Sequence, residues 1–301
     1  MQNPFNHAFL PTMPNLTPGL LYLAASVCCS VTVAILLKLA RRYDIDIRQA
    51  IATNYAVTAA LCALVLRPTA TQITSVGQTW ELLLALGIIL PLGFMAMAQS
   101  VRHTGIVRSD AAQRLSLFLP LPAAFFLFGE SLTWRKSAAI ALAFSALFCV
   151  LHRRASTIQR PTARHTWLWP IGVWLAYGLV DILFKQIAKT GTAFSGALLI
   201  AFILAGILMT LYLCLHRISW KRQHLLAGVI LGIMNFGNIV TYIRAHQSLP
   251  DQPALVFASM NMGVIATGTL VGAIAFHERL NHTNIIGLLM AVTAIALMVP
   301  A

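Results

Sequence analysis

Charged side chains interrupt the apolar runs of this chain at only a few places, and any chemistry it performs in those runs must happen there. Asp181 and Lys185 stand four residues apart, acid first, and Asp110 and Arg114 repeat that spacing in another run. On a helix such residues share a face. Lys38 occupies the place of Lys185 under an offset of 147, with Leu37-Lys38-Leu39-Ala40 against Phe184-Lys185-Gln186-Ile187. A charge in hydrocarbon costs at least about 2.5–3.5 kcal/mol, so it usually faces a cavity or a partner. The two lysines either bind an anionic group as a related pair or snorkel to the headgroups from near their helix ends. Asp181 and Lys185 form an internal ion pair, or Asp181 exchanges protons, since a desolvated carboxylate holds a proton more readily. Arg114, about 12 Å into its run at roughly 1.5 Å per residue, is too deep to snorkel. It binds a carboxylate or serves a structural role.

Uncharged polar residues extend the set. Asn235, Asn238 and Tyr242 step three then four and lie on one helix face. Asn54 and Tyr55, Trp174 and Tyr177, and Gln113 with its repeat partner Asn261 are the other candidates. Together they either line a polar chamber or hydrogen-bond helix to helix. This is chemistry for holding and moving a solute. HExxH, GxSxG, a phosphate-binding glycine loop and a cysteine ligand set are all missing, so neither an enzyme, a metal nor a cofactor is expected. The cysteines, Cys28, Cys29, Cys62, Cys149 and Cys214, read as small buried apolar side chains.

The elements that must position these residues follow from composition. Of 301 residues, 58% are hydrophobic and 10% charged. A soluble domain carries about a quarter charged residues, so a water-facing surface of the usual kind is excluded. Hydropathy marks ten runs, at 18–40, 49–66, 80–100, 106–128, 136–152, 167–188, 194–215, 224–246, 253–276 and 283–300. Backbone in hydrocarbon must satisfy its own hydrogen bonds, so each run is expected to be a helix. Pro120 and Pro122 would kink the fourth and free carbonyls near its middle. The net charge of +13 sits in clusters such as Arg41–Arg42, Arg153–Arg154 and Lys221–Arg222 between runs. These read as topology signals beside anionic lipid, with no nucleic-acid partner. Residues 1–17 lack Lys and Arg and form a proline-rich tail without the basic start of a signal peptide.

An internal repeat organises the runs. Shifted by 148, Phe128-Gly129-Glu130-Ser131-Leu132 falls on Phe276-His277-Glu278-Arg279-Leu280, Gln99-Ser100 on Gln247-Ser248, and Ala143 and Ala146 on Ala291 and Ala294. The halves are residues 18–152 and 167–301, joined by a basic loop at 153–166. Five runs is an odd number, so the second half enters from the opposite side, giving two inverted five-helix repeats in an all-α membrane protein of ten transmembrane helices. Glu130 and Glu278 stand at run ends, where capping and loop anchoring is the expected role. Gly268 and Gly272, and Ser137, Ala141 and Ser145, are expected packing residues.

Phe-Gly-Glu-Ser-Leu-Thr-Trp at 128–134, and Phe-His-Glu-Arg-Leu-Asn at 276–281 followed by Ile285-Ile286-Gly287, resemble the ends of EamA repeats. Ala139 departs from the pattern, standing where the second repeat has Gly287. Over residues 18–300 the chain resembles a ten-helix member of the drug/metabolite transporter superfamily. The resemblance implies a multi-pass protein of the bacterial inner membrane, with termini inside. The loop distribution of Lys and Arg instead places the termini outside the cytoplasm. The expected function is secondary transport of a small metabolite by alternating access. Runs 1–4 and 6–9 would enclose the pocket, and runs 5 and 10 would buttress it or form a homodimer contact. Lys38, Arg114 and Lys185 favour a carboxylate-bearing solute such as an amino acid. The alternatives are a proton-coupled exporter of cationic drugs, and a non-transporting scaffold or lipid-modifying enzyme. The partners expected are the small-molecule substrate and membrane lipid.

Overall fold

The computed structural model describes residues 16–74, 80–104, 106–151, 167–190, 194–275 and 282–299. The 276–281 motif, the 153–166 loop and the side chain of Asp110 lie outside the described residues. The described residues are mostly helical, without strands, and helix covers most of the described part of each of the ten apolar runs. The principal helices are α1 (Leu16–Arg42), α2 (Ile47–Leu61), the short α3 (Ala70–Thr74) and α4 (Trp80–Thr104). They continue with α5 (Ile106–Leu115), α6 (Pro120–Phe126), α7 (Trp134–Leu151), α8 (Leu168–Lys189) and α9 (Phe194–Leu215). Last come α10 (Arg222–Ser248), α11 (Pro253–Ala275) and α12 (His282–Met298). Among the described residues, seven helices are long and apolar enough to cross a membrane: α1, α2 with its extension to Leu66, α4, α8, α9, α10 and α11. The chain is a multi-pass helical membrane protein.

The helices sort by polarity in the way lipid demands. Ile203, Ile207 and Leu211 of α9, and Leu226, Ile230 and Ile233 of α10, are exposed apolar residues on the outside. Asn54, Asn235, Tyr242, Lys185 and His246 are buried. Outside the bundle lies hydrocarbon, so polar groups turn inward where other polar groups can meet them.

Two of the runs are not regular. Helix α2 ends in a π turn at Cys62–Leu66, closed by Arg67 in the left-handed region at φ 43°. The fourth run is broken rather than merely kinked. Helix α5 stops at Leu115, a 3-10 turn covers Ser116–Phe118, and α6 starts at Pro120. Proline has no N–H and fits only the first turn of a helix, so Pro120 and Pro122 begin a new helix where a continuous one would need their N–H groups.

Packing sets the neighbours. Helix α1 lies on α10 and α11, α2 on α10 and α9, α4 on α8 and α9, and α5 on α8; α7 packs mainly on α12. Two glycines let α10 approach α2. A Cβ on Gly228 would stand 2.6 Å from the Thr53 Cβ, and one on Gly232 would stand 2.8 Å from the Val57 Cβ. Gly287 does the same for α12, where a Cβ would stand 2.8 Å from the Cys149 Cβ.

One end of the bundle is tied shut. The buried Gln49 amide donates to the Ser219 carbonyl at 3.2 Å, and its oxygen accepts from the Lys221 N–H at 3.0 Å. This joins the start of α2 to the α9–α10 turn. Asp46 caps α2 by accepting from the Arg48 N–H at 3.0 Å, and its carboxylate takes two further 3.0 Å bonds from the Arg48 guanidinium. Burial alone pushes the Asp46 carboxyl up; the bonds and charge of Arg48, with a bond from Gln49, outweigh it and hold the carboxyl below its ordinary value. The stabilisation this gives is therefore complete above the unfolded value of about 3.9 and is lost as pH falls through the folded one. Thermal unfolding in detergent should show wild type losing its margin over Asp46→Asn as the pH drops below about 4. A margin that grows on acidification would contradict the sign.

Candidate functional site

Two polar stripes of identical spacing run along α8 and α10. On α8 they are Trp174, Tyr177, Asp181 and Lys185; on α10, Asn235, Asn238, Tyr242 and His246. Steps of three, four and four keep each set on one helix face. The helices meet along these faces. Phe184 packs edge-on to Tyr242 with ring centres 6.3 Å apart, and the Tyr242 and His246 rings lie 4.9 Å apart.

The stripes lead into a cleft of about 590 Å³ at the end of the bundle opposite the Gln49 tie. It is formed where α8 ends, α9 begins and α10 ends, and is lined by Lys185, Lys189, Arg244, His246, Gln247 and Ser195, among others. Three of those residues are cations and no lining residue is a carboxylate. Lys185 is only 2% exposed, and its ammonium donates to the Pro250 carbonyl at 2.8 Å. Asp251 and Glu130 are near enough to attract it, and Lys189 repels it. The Lys189 ammonium lies 4.7 Å from the centre of the Phe128 ring, and the Arg244 guanidinium 4.9 Å from that of Phe194. Aromatic faces hold cations in place without neutralising them. The cleft is therefore suited to an anion.

The expected Asp181–Lys185 ion pair does not form. Four-residue spacing permits it, but the Lys185 side chain runs to the helix end, where a backbone carbonyl satisfies it. Asp181 faces the Tyr242 hydroxyl and the Asn261 amide instead. The Tyr242 hydroxyl stops short of hydrogen-bond geometry, and the Asn261 amide donates to the Phe257 carbonyl at 3.0 Å. Asp181 keeps partial accessibility despite its depth, as do Trp174, Tyr177, Gln113, Arg114 and Asn261.

The proposed equivalence of Lys38 and Lys185 also fails in its surroundings. Lys38 is exposed near the end of α1, where snorkelling explains it, whereas Lys185 is buried. Arg114 sits against α11, so that a Cβ on Gly268 would lie 4.0 Å from its guanidinium. Several polar candidates join helices to one another. Asn235 donates to the Asn54 oxygen at 3.1 Å, and Ser26 donates to the Asn238 side chain at 2.8 Å. Tyr55 is fully buried, edge-on to Phe94 at 6.4 Å, with no partner for its hydroxyl. Glu130 caps α11 by accepting from the Ala254 N–H at 2.7 Å and pairs with Lys136 at 2.7 Å. That is the anchoring role expected of it.

Lys189, Arg244 and His246 escaped the reading of the sequence. For two of them a signal was present, since one further step of four carries the α8 stripe from Lys185 to Lys189 and the α10 stripe from Tyr242 to His246; Arg244 lies on neither stripe.

A protein of Haemophilus influenzae, described only as an uncharacterized protein, is 44% identical over 275 residues, covering 90% of this chain and 94% of its own length. The chain belongs to the family of that protein. No family model matches. A solved structure described only as a crystal structure of a protein superposes with a TM-score of 0.71 at 16% identity, covering 93% of this chain and 96% of its own. It shares the fold.

The broken fourth run gives the site its most testable support. Trp174 donates its indole N–H to the Leu115 carbonyl at 2.9 Å, bonding α8 to the point where α5 gives way to the 3-10 turn. Trp174→Phe should remove that bond and cost about 0.5–1.5 kcal/mol. A lowered unfolding midpoint of the purified protein checks this; an unchanged midpoint would show that the bond does not hold the break.

Proposed function

We propose that this chain is a secondary carrier of the EamA type in the drug/metabolite transporter superfamily, moving a carboxylate-bearing solute across the bacterial inner membrane by alternating access. The observation that carries the reading is the cleft. A buried lysine, a second lysine and an arginine converge on it, and among the described residues no carboxylate lines it. Asp251 and Glu130 answer part of the Lys185 charge, while Lys189 and Arg244 face the cleft, where a visiting anion would meet all three cations. The bundle is tied at one end by Gln49 and open at the other, as a carrier is between its two facing states.

Helix packing supports ten crossings in two inverted five-helix repeats. Exchange α1 with α8, α2 with α9, α4 with α10, the α5–α6 run with α11, and α7 with α12. The contact of α1 with α10 then becomes that of α8 with α4, and α1 with α11 becomes α8 with α5. The contacts of α2 with α9 and of α7 with α12 map onto themselves. The broken α5–α6 run beside α8 fits the discontinuous helices found at transporter sites. On this reading the solute carboxylate is held by Lys185, Lys189 and Arg244, and energy comes from the solute gradient or a coupled ion.

Thermal unfolding of the purified protein against amino acids, dicarboxylates, nucleobases, sugar phosphates and cationic dyes tests the assignment. A carboxylate-bearing solute at a hundred times its Kd should add about 2.7 kcal/mol of stability. The shift should vanish in Lys185→Ala. Stabilisation by cationic dyes alone, lost in Asp181→Asn and kept in Lys185→Ala, would overturn the anion reading.

A further inference from the structure

Behind the cleft, the column of His246, Tyr242 and Asp181 has no use in holding an anion. His246 lines the cleft yet is 1% exposed, and neither of its ring nitrogens has a hydrogen-bond partner within the protein. Its ring is held between Tyr242 and Phe257, each with its centre 4.9 Å away. One helical turn further in, the Tyr242 hydroxyl is buried and also unpartnered, and it faces Asp181. Asp181 lies about 12 Å from the end of α8 at roughly 1.5 Å per residue, and among the described residues no cation forms an ion pair with it. Buried polar groups are almost always bonded, so unpartnered ones in a row that ends on a lone carboxylate call for an explanation.

We propose that Asp181 is the proton site of the carrier, loaded from the cleft through His246 and Tyr242. This rests on the carrier reading above. A hydronium in the cleft gives up one proton. His246 accepts a proton on one nitrogen and releases one from the other, Tyr242 accepts and releases in turn, and an O–H bond forms on Asp181. Both relay residues end neutral, His246 as its other tautomer, which a turn of the ring or the reverse transfer resets, and the carboxylate becomes a neutral acid. Reversal on the other side returns the proton to water.

The charged neighbourhood leaves this role to Asp181. On its own helix the titratable neighbours are Tyr177, Lys185 and Lys189, Lys185 being close enough to His246 to repel a charge on it; on α10 they are Tyr242, His246 and the cleft-lining Arg244, and Glu130 and Asp251 stand near Lys185 at the mouth of the cleft. Helices α6 and α11 carry none. Glu81, Arg102 and His103 stand at the ends of α4, His103 stacked on Trp169. Tyr212 and Cys214 stand at the far end of α9. On α5, Arg114 sits against Gly268, and the side chains of Arg108 and Asp110 lie outside the described residues.

A pH jump on proteoliposomes adsorbed to a solid-supported membrane reads proton entry as a transient charge displacement and needs no solute. Wild type should give the transient, Asp181→Asn should lose it, and Asp181→Glu should keep it with a shifted midpoint. His246→Phe should slow it by about a hundredfold without removing it. A wild-type transient in Asp181→Asn overturns the proposal. So does an unchanged rate in His246→Phe, or a transient of the same size when a sodium jump at constant pH replaces the pH jump. If Asp181→Asn fails to fold, the Asp181→Glu midpoint decides, and an unshifted midpoint overturns the proposal. The two readings fail separately. A proton transient beside a silent thermal panel strikes the carrier reading alone, while solute stabilisation with a transient indifferent to Asp181 strikes the proton site alone.

Discussion

A charge held away from water must be held by something else, and this one constraint shapes the interior of the bundle. Hydrocarbon offers no hydrogen bonds, so each polar group between the helices depends on what its neighbours supply. Lys185 has the Pro250 carbonyl, Asn235 has Asn54, and the Leu115 carbonyl has Trp174. Where supply stops, at His246, Tyr242 and Tyr55, the groups are buried between helices without a partner. The apolar exterior of α9 and α10 is the other face of the same rule.

That constraint made much of the architecture legible in advance. The apolar runs fall on helix, as backbone in lipid requires of the seven long enough to span, and the prolines of the fourth run, expected to kink it, mark the place where it breaks. Helix periodicity placed Asn235, Asn238 and Tyr242 on one face correctly, since a rotation of 100° per residue needs no tertiary information. Glu130 was readable as an anchor because a carboxylate beside a run end is close to free N–H groups.

The rest was hidden for reasons that are equally physical. Spacing permits an Asp181–Lys185 pair but cannot say that the turn after α10, 65 residues along the chain, will bring the Pro250 carbonyl to the lysine. Lys38 and Lys185 match in sequence, yet which of two helix ends is covered depends on what packs over it. Lys189 and Arg244 look like ordinary basic residues at run ends. Only the convergence of α8, α9 and α10 turns them into one electropositive cleft, and convergence is not written in any single run. Asn54 and Asn235, read as equally fit to line a chamber or to bond, bond each other.

The account stands or falls on whether the α8 stripe faces water that enters from the cleft. With the five native cysteines replaced, single cysteines along α8 can be challenged in membranes with a charged, impermeant thiol reagent. The account predicts labelling at 185, 181, 177 and 174, slower with each step inward, and protection at 175 and 179 on the lipid side. Equal protection at all six positions would mean that no polar path runs between α8 and α10, and the carrier reading would be wrong.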